Sequence, residues 1–233
     1  MNRFNLKLTT LKIKTLIKII LRPEGKFSFL SKIPKDSSIL DVGCGNNSPF
    51  LVKSLLPNSY YVGLDVSEYN TGSFSKDIAD EYILTDPDIF VNSIKSIKRK
   101  FDAIISSHNL EHCDDRLGTI NAMIDKLNKK GKIFLSFPSK ESINFPKRIV
   151  ALNYYDDPTH KDLPPNFELI LEILREKGLR IVYSQRSYKP FLLNLIGNFT
   201  YLISFFTKKI HLGVWEKWGF ESIIIAENRN ANS

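Results

Sequence analysis

Residues 39–47 read Ile39-Leu40-Asp41-Val42-Gly43-Cys44-Gly45-Asn46-Asn47. A short apolar run enters a turn carrying two glycines, and residues 49–56 beyond it have a helical pattern. The same unit recurs outward along the chain. Strands are expected at 38–42, 60–66, 82–85, 101–106, 132–137, 179–184 and 222–226. Between them, helices are expected at 49–56, in the Lys-rich stretch ending at Lys100, at 116–129, and at 166–177, closed by Gly178. The Lys-Lys-Gly of 129–131 reads as the turn into the fifth strand. Strands alternating with helices in this way make a doubly wound α/β protein, with a mostly parallel seven-stranded sheet and helices on both faces.

The glycine turn at the end of the first strand is where such a sheet admits a ligand, because glycine lets a ligand approach the backbone closely. Two carboxylates sharpen the signal. Asp65 ends the next strand and is placed for the two hydroxyls of a ribose. Asp41 stands two residues before Gly43. A carboxylate there would repel the pyrophosphate of a dinucleotide but suits the ammonium and sulfonium of S-adenosyl-L-methionine. The charge therefore favours the sulfonium cofactor over NAD.

ILDVGCG, VGLD, FDAIISSHNLEHCDD and KKGKIFLSFPS resemble the successive motifs of the class I S-adenosylmethionine-dependent methyltransferases. The likeness is strong over 36–140 and looser beyond, and it extends to small bacterial members acting on envelope glycans or lipid precursors. It implies a Rossmann-like fold in which Asp41, Gly43, Cys44 and Gly45 contact the methionine moiety. It implies also that Asp65 holds the ribose, Val66 the adenine and Asp86 the adenine amine, with Asp80 and Asp88 as neighbouring alternatives. Ser107 and His108 would flank the methyl group. Asn47 replaces a third glycine common in that loop, and asparagine tolerates a left-handed backbone.

Methyl transfer from a sulfonium asks for alignment, and for removal of a proton when the acceptor is a hydroxyl. The family's base-amine methylating members carry an Asn/Asp-Pro-Pro-aromatic tetrad where this chain reads Ser106-Ser107-His108-Asn109. Cys113 follows His112 rather than proline, which disfavours pyrimidine carbon methylation. His160, in a Tyr154–Asp162 loop whose Asp-x-Thr-His stretch recurs in similar bacterial enzymes, is the first candidate for general base or acceptor-orienting residue, and His108 the second. His112 reads as a structural residue and His211 as exposed. No metal-ligand spacing is seen, and no metal is expected.

Composition bounds the partners. The hydrophobic fraction of 42% suits a globular core, and two cysteines without a pairing pattern suit a reducing, cytoplasmic setting. Of the 33 basic and 25 acidic residues, nine and one fall within 1–35, so the whole formal charge of +8 sits there and the body is balanced. A nucleic-acid groove would need basic residues on the body. Residues 1–35 form a basic amphipathic segment, and 36–233 a single domain with an apolar insertion at 190–206. The N-terminal segment is either an interfacial helix on an anionic membrane or a helix packed on the sheet with its lysines solvated. The insertion is either a helical lid over the acceptor pocket or a second interfacial helix. The expected activity is O-methylation of a sugar or other hydroxyl on a small-molecule, glycan or lipid-linked acceptor. An RNA methyltransferase and a non-catalytic membrane scaffold stand as the rivals.

Overall fold

The computed structural model describes residues 15–45, 47–67, 78–149 and 151–229. The remaining basic segment, including Leu6, Leu11 and Ile13, lies outside the described residues. The chain passes through α1 (Lys26–Ser31), β1 (Ser38–Val42), α2 (Ser48–Leu55), β2 (Tyr60–Asp65), β3 (Glu81–Leu84), α3 (Phe90–Ser96) and β4 (Phe101–Ser107). It continues through α4 (Arg116–Asp125), β5 (Leu127–Pro138), α5 (Phe167–Glu176), β6 (Leu179–Gln185), α6 (Phe191–Thr207), α7 (Val214–Trp218) and β7 (Glu221–Asn228). Residues 15–21 are also helical.

The seven strands form one sheet in the order β3-β2-β1-β4-β5-β7-β6. Neighbours from β3 to β5 run parallel, and β7 lies antiparallel between β5 and β6. This is the Rossmann-like, doubly wound sheet expected from the alternation. Side chains in a strand alternate between faces, and the core divides accordingly. Leu40, Val42, Ile104, Ile133 and Leu135 pack with Ile94, Ile120, Met123 and Leu174 of α3, α4 and α5. Ile39, Ile105 and Phe134 pack on the other face with Val52 of α2 and with Phe29 and Leu30 of α1. Residues 26–33 are thus part of the second helical layer, with Ile33 also buried there.

Three boundaries differ from expectation. The Lys-rich helix stops at Ser96, because Ile97 turns extended and carries its side chain into the core, while Lys126 Nζ caps the carbonyls of Lys95 and Ile97. α4 stops at Asp125, because the backbone from Leu127 onward finds partners on β4. The Lys-Lys-Gly of 129–131 is consequently an irregularity inside a long β5, with Lys130 at φ 61°. Gly178 closes α5 as expected, at φ 79°, and at the other end the Asn166 side chain caps it by accepting from the amides of Glu168 and Leu169.

Helix α6 corrects the expectation of a lid. It packs on α7, where Gly197 lies so close to Gly213 that a Cβ on Gly197 would sit 2.0 Å from the Gly213 carbonyl oxygen. Only Leu193, Gly197 and Ser204 of the helix are buried, and none of residues 190–206 lines the cleft described below. Among the described residues, no helix is long and apolar enough to cross a membrane.

Candidate cofactor and acceptor site

The order of the sheet reverses between β1 and β4, and the loops leaving the carboxyl ends of β1, β2 and β4 cannot pack on one another there. They enclose a cleft of about 970 Å³. Gly43, Cys44 and Gly45 form its floor, Asp65 and Val66 one side, and Ser107 and His108 another.

Gly43 and Gly45 both take left-handed backbone, at φ 73° and 58°. A Cβ on Gly43 would meet Asn109 Oδ1 at 2.4 Å, whereas one on Gly45 would meet nothing within 4 Å. The first glycine admits the β4 loop, and the second leaves the floor open to a ligand. Asp65 holds this turn: Oδ2 accepts from the Gly45 amide at 2.6 Å and Oδ1 from the Val66 amide at 2.7 Å. Each ionised oxygen keeps a further lone pair. Asn47 sits at φ −107°, so the left-handed tolerance attributed to it is not used.

Asp41 is fully buried and does not line the cleft. Its Oδ2 accepts from Lys26 Nζ at 3.1 Å, from Tyr61 Oη at 3.0 Å and from Ser48 Oγ, while Oδ1 has no partner. The negative charge read from the sequence is therefore already matched by a lysine of α1. Asp86 also stands off the cleft wall; its neighbour Asp88 lines it, together with Phe90 and Val91. Asp80 is bound instead to Lys53 and to the Tyr61 amide.

Burial pushes the Cys44 thiol far up, helped by Asp41 and Asp65. The Cys113 thiol, also at the cleft, is pushed up to about 11 by its burial. Ser107 Oγ is 2.9 Å from Ser136 Oγ.

The histidines are more constrained than the sequence suggested. His108 has φ 52°, and its ring lies near Trp215 and Phe220. Nδ1 is 3.1 Å from Glu111 Oε1 and Nε2 is 3.2 Å from Glu221 Oε1. With a carboxylate at each nitrogen, neither is free to take a proton from an acceptor. This corrects the expectation of His108 as an alternative base.

The His160 side chain is 6% exposed, stacked on Tyr154, with Nδ1 donating to the Tyr154 carbonyl at 2.6 Å. It stands behind the cleft wall, to which its neighbours Thr159 and Lys161 belong. His112 was read as structural, yet it lines the cleft with its ring centroid 4.9 Å from that of His160. One donor atom each of Glu111, His112 and His160 lies within 4.8 Å of the others. The signal for this grouping was the Glu-His pair just after β4, but only the fold brings it to a loop 47 residues later, where His112 meets Thr159.

Known proteins agree with this architecture. The family described as "Methyltransferase domain" matches residues 17–184. A protein of Methanocaldococcus jannaschii, MJ0906, is 34% identical over 110 residues, which is 45% of this chain and 29% of that protein. Among solved structures, a SAM-dependent methyltransferase from Archaeoglobus fulgidus superposes with a TM-score of 0.52 at 18% identity, covering 97% of this chain and 100% of that one. The methyltransferase from a Haloferax volcanii complex with the activator Trm112 gives 0.60 at 12% identity, covering 99% and 97%. The plantazolicin methyltransferase BpumL, solved with S-adenosylhomocysteine, gives 0.55 at 19%, covering 98% and 91%. With its glycine turn, the Asp65 carboxylate beside it and its sheet order, the chain belongs to the methyltransferase-domain family.

Proposed function

We propose that this methyltransferase transfers its methyl group to a hydroxyl oxygen of a polar acceptor: a sugar, a glycan or a lipid-linked precursor. The observation that carries the acceptor class is the polar lining contributed by the segments after β4 and around residue 160, where His112, Asp114, Thr159 and Lys161 offer donors and acceptors of both charges. The Ser106-Ser107-His108-Asn109 stretch and the balanced charge of the body argue against a nucleic-acid base.

The residues fit the cofactor. The open space above Gly45 suits the methionine portion, Asp65 retains lone pairs for the ribose, and exposed Val66 suits the adenine. Asp88 is better disposed than Asp86 for the adenine amine. The unpaired Oδ1 of Asp41 lies beneath the same turn. S-adenosyl-L-methionine supplies an activated methyl group: as the new C–O bond forms, the C–S bond breaks with its electrons left on sulfur, and the hydroxyl proton departs to solvent. The protein's work is then to align the acceptor oxygen. His160 belongs to that work from behind the wall: its Nδ1, donating to the Tyr154 carbonyl, helps fix the loop whose Thr159 and Lys161 border the acceptor space.

A peripheral position on an anionic membrane is part of the proposal. Phe191, Phe199 and Phe206 of α6 are 78%, 74% and 74% exposed, with Lys208 and Lys209 immediately following. The helix over 15–21 exposes Leu16, Ile17 and Ile20 beside Lys18. An apolar face flanked by lysines is the composition of an interfacial element.

The test is label transfer. Full-length protein with methyl-labelled cofactor should label saccharides or lipid-linked glycans in a membrane extract, in ethers stable to base. Label appearing in tRNA or in amines, with none in hydroxyl acceptors, would overturn the acceptor assignment.

A further inference from the structure

We infer that Glu111, His112 and His160 form a binding site for one divalent transition-metal ion at the acceptor end of the cleft. Glu111 follows β4 in a short 3-10 turn (Leu110–His112) and is fully buried. Its Oε1 is held by His108 Nδ1, and its Oε2 is buried without any partner. A carboxylate oxygen removed from water needs a cation or a donor. One ligand atom from each of the three side chains lies within 4.8 Å of the other two.

The outer contacts of both rings point the same way. His160 Nδ1 donates to the Tyr154 carbonyl at 2.6 Å. His112 Nδ1 faces the Thr159 carbonyl at 3.3 Å and Thr159 Oγ1 at 3.0 Å. An imidazole whose Nδ1–H is fixed on a carbonyl carries its lone pair on Nε2, which is the usual arrangement of a metal-bound histidine. Asp157 adds a further carboxylate, with Oδ2 3.9 Å from His160 Nε2 and Oδ1 turned away to the Thr159 amide and hydroxyl.

Two imidazoles and one carboxylate suit zinc, manganese, iron or cobalt, and three protein ligands leave coordination positions open. His112 borders the cleft, so an open position there can take an acceptor oxygen. Coordination would lower the pKa of an acceptor hydroxyl, its proton passing to solvent. That supplies the deprotonation that His108, with both nitrogens engaged, does not. This use of the metal rests on the hydroxyl-acceptor proposal; binding itself does not.

The experiment reads metal binding without cofactor or acceptor. Full-length protein is freed of metal by chelator and titrated with CoCl2, following the visible absorption of the bound ion, and with ZnCl2 by calorimetry. The expected result is one equivalent bound, with the affinity of His112→Ala and of His160→Ala each reduced by about tenfold or more. His211→Ala, remote in the chain, should bind as the parent does. Circular dichroism reports whether each variant is folded. Should His160→Ala fail to fold, His112→Ala, whose half-buried ring lies at the cleft wall, still decides. The absence of stoichiometric binding, or undiminished binding in the folded variants, overturns the site while leaving the label-transfer result untouched.

Discussion

Lys26 and Asp41 meet beneath the glycine turn: the lysine Nζ, on the first residue of α1, lies 3.1 Å from Asp41 Oδ2. The lysine side chain is 17% exposed and the carboxylate not at all. The pair ties the N-terminal layer to the cofactor loop and cancels a buried charge. Removing one partner strands the other, which for a buried pair typically costs about 3–5 kcal/mol. Lys26→Met is therefore expected to lower the urea unfolding free energy by about 3 kcal/mol and to weaken cofactor binding. Wild-type stability in that variant would show that the pair is not what holds the turn.

The two glycines of the turn should respond differently. Both are left-handed, so alanine at either costs about 1–2 kcal/mol in backbone strain. At Gly43 the new methyl would also meet Asn109, at 2.4 Å, while at Gly45 it would enter open space. Gly43→Ala is expected to be the more destabilising in chemical denaturation. Gly45→Ala should stay folded and lose cofactor affinity, because its methyl occupies the ligand's side of the turn.

Neither cysteine should behave as a reactive thiol, although both border the cleft. The nucleophile is the thiolate. Burial holds Cys113 at about 11 and Cys44 higher still, with Asp41 and Asp65 adding to the effect at Cys44. Iodoacetamide at pH 8 should modify the folded protein slowly and the urea-unfolded protein rapidly, as read by intact mass. Labelling should quicken only as pH climbs toward 11. Fast modification of native Cys44 at pH 8 would contradict the geometry.

The exposed face of α6 gives a membrane prediction. Phe199 and Phe206 contribute little to the core, so Phe199→Glu with Phe206→Glu should leave the melting temperature near that of the parent. Burial of one such side chain is worth about 1.5–3 kcal/mol, so sedimentation with phosphatidylserine vesicles should weaken by about tenfold or more in the double variant. Equal sedimentation of parent and variant would remove the interfacial role of α6.

The parallel order of the sheet and the glycine turn were legible because both are local patterns: alternating strands and helices, and glycines between a buried strand and a helix. The place of Asp65 at the end of β2 was legible for the same reason. What escaped the sequence depends on contacts between distant segments. The partner of Asp41 is fifteen residues upstream, on a segment whose lysines were expected to face lipid or solvent. The engagement of His108 requires Glu221, on the antiparallel strand inserted beside β5. The apolar run at 190–206 has the composition of a lid, but the close Gly197–Gly213 approach fixes it on α7 instead. Hydropathy carries no record of that contact.

The central claim is that the glycine turn and Asp65 form the site of a phosphate-free, sulfonium-bearing nucleoside. Calorimetric titration of the full chain with S-adenosylhomocysteine tests it most directly, with Asp65→Ala as the paired variant and NADH as the competing ligand. The account predicts one equivalent bound by the parent, an affinity lower by about a hundredfold in the variant, as loss of two strong hydrogen bonds would give, and no heat with NADH. Binding of NADH without binding of S-adenosylhomocysteine, or undiminished binding by a folded Asp65→Ala, would contradict it.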